Sequence, residues 1–393
     1  MLFFKKTNKA DAVIICDDNR IAQSGKKTIE NGGNAADAMA SMLITGAVVL
    51  PSRMGLSAGG VCQILDPNNG QVNTLGFLSS PMTFDKKTGT PSLPRGVYTL
   101  KDKYGIKPWS DAFVDAIDLA EQGTKVSDDL SIDIVHTTGL PVQWKNLKSG
   151  DTLQQKKLAQ TLKTLSKNGV GTLYSGDMAS SLVSQSDQII QEDLKETKAS
   201  IMDSIDVSIN TGKTFFANPT ILSSDGYLLW KNLQKTDKAE QAQTAINDLK
   251  NTVVSSEDAV YGTSLISTDK SGLVIVCSIS MGRRFGTGQL TEEGFYLSNP
   301  ISYKEKGFVF LNVLQTNPDV TDVIYALTGV GNYALADGIN FMAEKQLLIS
   351  NKNKEKSTDF IEFSCEKGYP NDFSSCQQNE KTHPILTQQD LTK

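Results

Sequence analysis

The sequence has few of the residues on which metal and nucleophile chemistry usually depends. Its 393 residues include only two histidines, His136 and His383, and neither lies beside a serine or cysteine motif. There is no G-x-S-x-G pattern, which argues against a Ser/His/Asp hydrolase. The five cysteines form no C-x-x-C and have no histidine nearby, so we expect no metal site. Phosphate-binding and dinucleotide-binding glycine patterns are also missing, and we expect no cofactor.

Long apolar runs and basic blocks are missing as well. The chain has 39 Lys and Arg against 44 Asp and Glu, a net charge of -5, which argues against a nucleic-acid partner. No stretch approaches the ~20 apolar residues that a membrane-spanning helix needs, so we predict a soluble protein. Residues 1–6 lack the apolar core of a secretory signal, and as written the sequence predicts a cytoplasmic protein. The composition indicates no oligomeric state.

Four of the five cysteines fall into two groups. Cys16 and Cys277 lie in apolar, strand-like runs and are interpreted as small buried hydrophobic side chains. Cys365 and Cys376 flank the turn-rich residues 368–372, so a disulfide between them could close a small loop. Such a bond would persist only in an oxidising compartment, so its presence would favour an exported protein.

Hydrophobic periodicity predicts a mixture of helices and strands. Residues 35–49 are almost wholly apolar and carry Asp37 in the first turn, which predicts a helix buried against a sheet. The runs 61–65 and 71–77 predict a hairpin, and 273–279, after the turn at 269–272, predict a strand of a second hairpin, buried on both faces. Clustered strands between long helices favour a layered α+β architecture. Further helices are predicted at 21–31, 109–123, 154–168, 177–185 and 333–344.

The order of several motifs resembles the gamma-glutamyltranspeptidase family. Residues 31–38, N-G-G-N-A-A-D-A, resemble that family's glycine turn and buried helix. Residues 104–109 (Y-G-I-K-P-W) and 116–123 (A-I-D-L-A-E-Q-G) resemble two elements that follow it. Residues 262–288 resemble, without a gap, the segment that begins the family's small subunit. Each motif is weak alone, but their shared order makes accidental similarity improbable.

The resemblance implies a fold and a domain organisation. The fold is an N-terminal-nucleophile hydrolase-like αββα sandwich of four layers, which the family makes by self-cleavage of a precursor. Residues 1–350 would form one domain, large-subunit-like over 1–261 and small-subunit-like over 262–350. Residues 351–393 would form a polar C-terminal extension that contains the loop between the last two cysteines. The family is exported, which agrees with a disulfide in that loop.

The resemblance also implies a reaction, but the residues for it are replaced. In the family an N-terminal threonine attacks a γ-glutamyl amide and its own amino group acts as the base. Gly262 stands at that nucleophile position, and Leu78 stands at the arginine that holds the substrate carboxylate. Gly282 replaces an asparagine, and residues 298–302 replace a run that contains two acids. Sequence comparison with the family therefore predicts loss of the ordinary activity.

The remaining candidates are two hydroxyls and two glycines. Thr263 matches the second threonine of the family pair, and Ser280 matches a threonine that assists the nucleophile. Gly329 and Gly331 are the remnant of an oxyanion loop that would bind substrate. Thr263 could act only after its strand slipped by one residue, which would turn every following side chain to the opposite face.

The sequence is compatible with three functions. The leading interpretation is a catalytically degenerate, uncleaved gamma-glutamyltranspeptidase-like protein, a pseudoenzyme that binds a γ-glutamyl or other small amide ligand, or a protein partner. The alternative is a divergent, self-processing threonine amidohydrolase or γ-glutamyl transferase that uses Thr263. The third is a small-molecule sensor without catalysis.

Overall fold

The structure of the chain is a computed structural model. It describes residues 12–208, 212–222, 226–235, 244–245, 248, 260–301, 309–346, 360–371 and 375–378. The interpretations of residues 1–6 and of His383 lie outside this part of the chain.

The helices of the first outer layer come mainly from the first half of the chain. Their bounds are α1 (Asn19–Glu30), α2 (Ala35–Val49), α3 (Pro51–Met54), α4 (Leu93–Tyr104), α5 (Val114–Gln122), α6 (Asp128–Val135), α7 (Val142–Lys145), α8 (Lys156–Asn168), α9 (Thr172–Ser175), α10 (Asp177–Ser184) and α11 (Gln191–Lys195). A 3₁₀ turn, Trp109–Phe113, precedes α5. Further helices in the second half of the described chain include α12 (Pro219–Leu222), α13 (Gly226–Leu233) and α14 (Ala334–Gln346).

The central helix α2 lies over the residues that the sequence predicts, and all of its residues are buried. Asn34 and Asp37 form a reciprocal capping box at its N-terminus, which satisfies backbone donors that the helix leaves unpaired. The Asp37 carboxylate also accepts a hydrogen bond from Lys101 Nζ at 2.6 Å. Backbone N–H groups of Ile106 and Lys107 donate to the same carboxylate, so α2, α4 and the following turn are joined at one buried point.

Two antiparallel sheets of six strands form the middle layers. The strands are β1 (Ile14–Cys16), β2 (Gly59–Asp66), β3 (Gln71–Phe77), β4 (Thr124–Lys125), β5 (Thr152–Leu153), β6 (Ser200–Asp203), β7 (Ile205–Asp206), β8 (Lys213–Phe216), β9 (Tyr261–Thr268), β10 (Val274–Gly282), β11 (Phe310–Thr316), β12 (Val323–Val330), β13 (Phe360–Tyr369) and β14 (Cys376–Gln378). Among the described residues, the first sheet has the order β1-β9-β10-β2-β3-β6 and the second β14-β13-β12-β11-β8-β7, while β4 and β5 form a separate two-stranded sheet. The predicted hairpin corresponds to β2 and β3, and the predicted buried strand to β10.

Alternation along the strands divides the core into layers. Leu265 of β9 belongs to the same buried cluster as Leu43 of α2, between the first helical layer and the first sheet. Ile266, the next residue, belongs to the cluster that contains Phe363 of β13, between the two sheets. On the far side of the second sheet, Ile339 of α14 closes a third cluster. The predicted αββα sandwich of four layers is therefore confirmed. Among the described residues, every helix is too short or too polar to cross a membrane.

The structure differs from the sequence analysis at one cysteine. Cys277 is buried in the core as predicted, but β10 and β2 place it directly opposite Cys62 and the two form a disulfide, which the sequence analysis does not include. Cys16 is buried and free. Cys365 and Cys376 are bonded to each other across β13 and β14. β13, which lies in the segment that the sequence sets apart as an extension, pairs with β12 inside the second sheet.

Candidate functional site

The nucleophile position implied by the resemblance lies where β9 faces the second sheet. Gly262 of β9 pairs with Ser280 of β10, and Val330 at the end of β12 packs directly over it. A Cβ atom at residue 262 would lie 2.2 Å from Val330 Cγ1 and 2.3 Å from the backbone oxygen of Ile279. The position therefore has no room for a nucleophilic side chain.

Thr263 lies on the opposite face of β9. Its Oγ1 donates a hydrogen bond to Asp17 Oδ2 at 2.8 Å, and the residue is only 2% exposed. Ser267, on the same face, donates to the backbone oxygen of Ala35 at the start of α2. The Thr263 hydroxyl thus points into the first helical layer, whereas Gly262 faces the space between the sheets.

Ser280 lies next to Gly262, but backbone groups use its hydroxyl. Its Oγ donates to the backbone oxygen of Tyr261 at 2.7 Å and accepts from the N–H of Gly282 at 2.8 Å. These bonds hold the irregular pairing at the ends of β9 and β10. The hydroxyl of Ser280 is therefore a structural group in this conformation.

The remnant oxyanion loop is close to Gly262 but is tied into the sheet. Gly329 is part of β12 and lies between β11 and β13. The N–H of Gly331 donates to the backbone oxygen of Val309 at 3.0 Å. Asn332 Oδ1 accepts from the N–H of Val260, the residue two before Gly262. The structure thus brings Gly329, Gly331, Ser280 and Gly262 together and places Thr263 behind the sheet.

A cleft of about 220 Å³, a volume that includes space open to solvent, adjoins Ser280. It is lined by Gly59, Leu78, Ser79, Ser280, Asn299, Ile301 and Phe310. Its described lining contains no ionisable side chain. Leu78 and Ile301 pack against the cluster formed by Phe310, Val330 and their neighbours, so apolar contacts replace a charged pocket. Because no cation lines it, this cleft does not provide a partner for a substrate carboxylate.

Two residues that shape the site are not indicated by the sequence. Asp17 lies 246 residues before Thr263 in the sequence, and Val330 lies 68 residues after Gly262. Only sheet pairing and sheet stacking bring the members of each pair close. Cys16, beside Asp17, is not a nucleophile candidate, because burial raises the pKa of its thiol and keeps it protonated. The described residues include no group of His, Cys, Asp and Glu that could hold a metal ion.

Substituting the nucleophile position with threonine is expected to destabilise the fold. Gly262→Thr should lower the free energy of unfolding by about 2 to 3 kcal/mol, since the new side chain meets both a packed valine and a strand backbone. Urea unfolding followed by circular dichroism would measure the change. Gly171→Thr is the matched control, because a Cβ at Gly171 meets nothing within 4 Å. Equal stability of the two variants would contradict the steric explanation.

Comparison with known proteins gives one family match. The sequence model described as Gamma-glutamyltranspeptidase matches residues 21–248, more than half of the chain. The Capsule biosynthesis protein CapD proenzyme of Bacillus anthracis is 25% identical over 341 residues, which cover 73% of this chain and 64% of that protein. A Glutathione hydrolase of Aspergillus flavus is 31% identical over 185 residues, 40% of this chain and 31% of that enzyme. The chain thus spans about a third to two thirds of the length of these relatives.

The fold also matches solved structures. The crystal structure of cephalosporin acylase from Bacillus halodurans superposes with a TM-score of 0.67 at 15% sequence identity. The match covers 89% of this chain and 85% of that one. At this level of identity the similarity supports the four-layer fold alone.

Proposed function

The chain belongs to the gamma-glutamyltranspeptidase family, and from this premise we propose that it is a catalytically degenerate member that stays uncleaved and acts by binding. The observation that carries the proposal is the closure of the nucleophile position. Gly262 supplies no attacking atom, and Val330 and the Ile279 backbone occupy the space that one would need.

Several groups that the reaction needs are lost together at this site. A covalent mechanism requires its nucleophile, and removal of that group eliminates the pathway itself. Loss of a single oxyanion donor typically costs ~10² to 10³ in rate. Here the N–H of Gly331 already donates a hydrogen bond to the backbone oxygen of Val309. The hydroxyl of Ser280 both donates and accepts a hydrogen bond with backbone groups. These changes favour retention of the scaffold without its reaction.

The cleft beside Leu78 is the proposed binding site. Ser79 and Asn299 supply neutral polar groups, while Leu78, Ile301 and Phe310 supply apolar surface. A free carboxylate would lose its hydration there without gaining a cation. The cleft therefore favours a small, uncharged amide over an intact γ-glutamyl group.

One observation favours the alternative, a self-processing amidohydrolase. The Thr263 hydroxyl donates to the Asp17 carboxylate at 2.8 Å, an arrangement in which a base faces a potential nucleophile. Cleavage between Gly262 and Thr263 would release the chain end and expose this pair.

Intact mass of the reduced, denatured protein and hydrolysis of a chromogenic γ-glutamyl anilide separate the two proposals. We expect a single mass for the whole chain and no turnover above background, because the nucleophile position is empty and sterically closed. Thr263→Val should change neither result, and Thr164→Val on α8 serves as the matched control. Two fragments that separate between Gly262 and Thr263, with turnover lost in Thr263→Val alone, would establish the amidohydrolase instead.

A further inference from the structure

A fully buried carboxylate in α6 holds two arginines at once. Asp133 Oδ1 accepts a hydrogen bond from Arg284 Nε at 2.8 Å, and Oδ2 accepts from Arg53 Nε at 2.9 Å. The hydroxyl of Ser52 also donates to Oδ2, at 2.7 Å. The Asp133 side chain is inaccessible to solvent. One anion therefore fixes two cations side by side, near the ends of α3 and β10.

Each guanidinium group donates its hydrogen bond to Asp133 through its Nε atom. Within the described part of the chain, the Nη atoms of Arg53 and Arg284 donate no hydrogen bond. Asp129 Oδ1 lies 3.6 Å from Arg53 Nη2, but that carboxylate side chain is 51% exposed. The arginine side chains remain accessible, at 18% for Arg53 and 23% for Arg284.

The guanidinium groups of both arginines are also held in place before any ligand binds. The guanidinium carbon of Arg284 lies 3.7 Å from the centre of the Tyr261 ring, a stacking that fixes the guanidinium plane. Burial lowers the pKa of Arg53, but the carboxylates of Asp133, Asp129 and Asp17 outweigh it and raise that pKa above its ordinary value. Arg53 therefore stays charged, and neither guanidinium group must be ordered when a ligand arrives.

We propose that Arg53 and Arg284 form a binding site for a small oxyanion, the carboxylate or phosphate group of a ligand. Planar guanidinium forks match the oxygen spacing of both groups, and charge-assisted hydrogen bonds are the strong ones. The site lies where α3 and α6 of the first helical layer meet the turn after β10, and it shares no residue with the cleft beside Leu78. It therefore stands independently of the function proposed above.

Calorimetric titration with inorganic phosphate and, separately, with sodium acetate tests the site. We expect saturable binding of at least one anion to the full chain, and the tighter of the two identifies the group that the site prefers. Arg284→Lys keeps the charge but removes the fork, so it should weaken binding ~10-fold. Asp129→Asn removes a competing carboxylate and should strengthen binding about threefold.

Arg95→Lys is the matched control, because Arg95 also lies over a tyrosine ring, that of Tyr174, but away from Asp133. It should leave anion binding unchanged. Circular dichroism melts would establish that each variant is folded, and the Asp129 variant tests the site if Arg284→Lys does not fold. Absence of saturable binding to the folded wild-type chain would overturn the proposal. Equal weakening by Arg95→Lys and Arg284→Lys would also overturn it.

Discussion

Replacing Cys62 and Cys277 together with alanine is expected to lower the free energy of unfolding by about 5 kcal/mol. The disulfide joins residues 215 positions apart in sequence, so it removes much of the conformational freedom of the unfolded chain. In the folded chain it connects neighbouring strands in the middle of the first sheet. Urea unfolding of the oxidised wild-type protein and of the double variant would measure the difference.

Two controls separate the effect of the cross-link from that of side-chain packing. Cys16→Ala removes a buried sulfur that is not cross-linked, and it should cost about 1 kcal/mol. The Cys365 to Cys376 disulfide joins residues only 11 positions apart, and its removal should cost about 3 kcal/mol. If the Cys62/Cys277 variant lost no more stability than Cys16→Ala, the long-range cross-link would make no net contribution.

Asp37→Ala is expected to lower the free energy of unfolding by about 3 to 5 kcal/mol. The Lys101 side chain is only 5% exposed, and its ammonium group lies 2.6 Å from the Asp37 carboxylate. The substitution removes that carboxylate and leaves the ammonium group buried without its partner. It also removes the acceptor for the backbone N–H groups of Ile106 and Lys107 and breaks the capping box of α2. Thermal and urea unfolding would both report the loss.

The surface pair of Lys163 and Glu121 is the matched control for this prediction. The distance from Lys163 Nζ to Glu121 Oε1 is also 2.6 Å, but the Lys163 side chain is 42% exposed and that of Glu121 is 51% exposed. Glu121→Ala should therefore cost less than about 1 kcal/mol, because water already solvates both charges. Similar losses for Asp37→Ala and Glu121→Ala would show that burial does not set the strength of the Asp37 contact.

Elements with strong local signals could be predicted from the sequence. The apolar run of α2 and its capping residues place that helix over residues 35–49, as found. The turn between β2 and β3 likewise identifies the hairpin. Residues 51–54, for which the sequence analysis predicts no helix, form the short helix α3, because Pro51 suits a first helical turn and the buried side chains around it provide the packing.

The site was predictable only where the family motif supplied a position. Gly262 and Leu78 could be identified from the order of the motifs, and alternation along β9 indicates that Thr263 faces away from Gly262. Val330 could not be identified, because its contact with Gly262 depends on the stacking of two sheets. The pairing of Cys62 with Cys277 depends on strand register, which the spacing of the cysteines does not encode.

The Cys62–Cys277 bridge has a consequence for any chain that is nicked before Thr263. Cys62 precedes that peptide bond in the sequence and Cys277 follows it, so a cut would leave one cysteine of the disulfide in each fragment. The halves would migrate together on a non-reducing gel and part only after treatment with a thiol. A single band without reductant would therefore carry no information about processing.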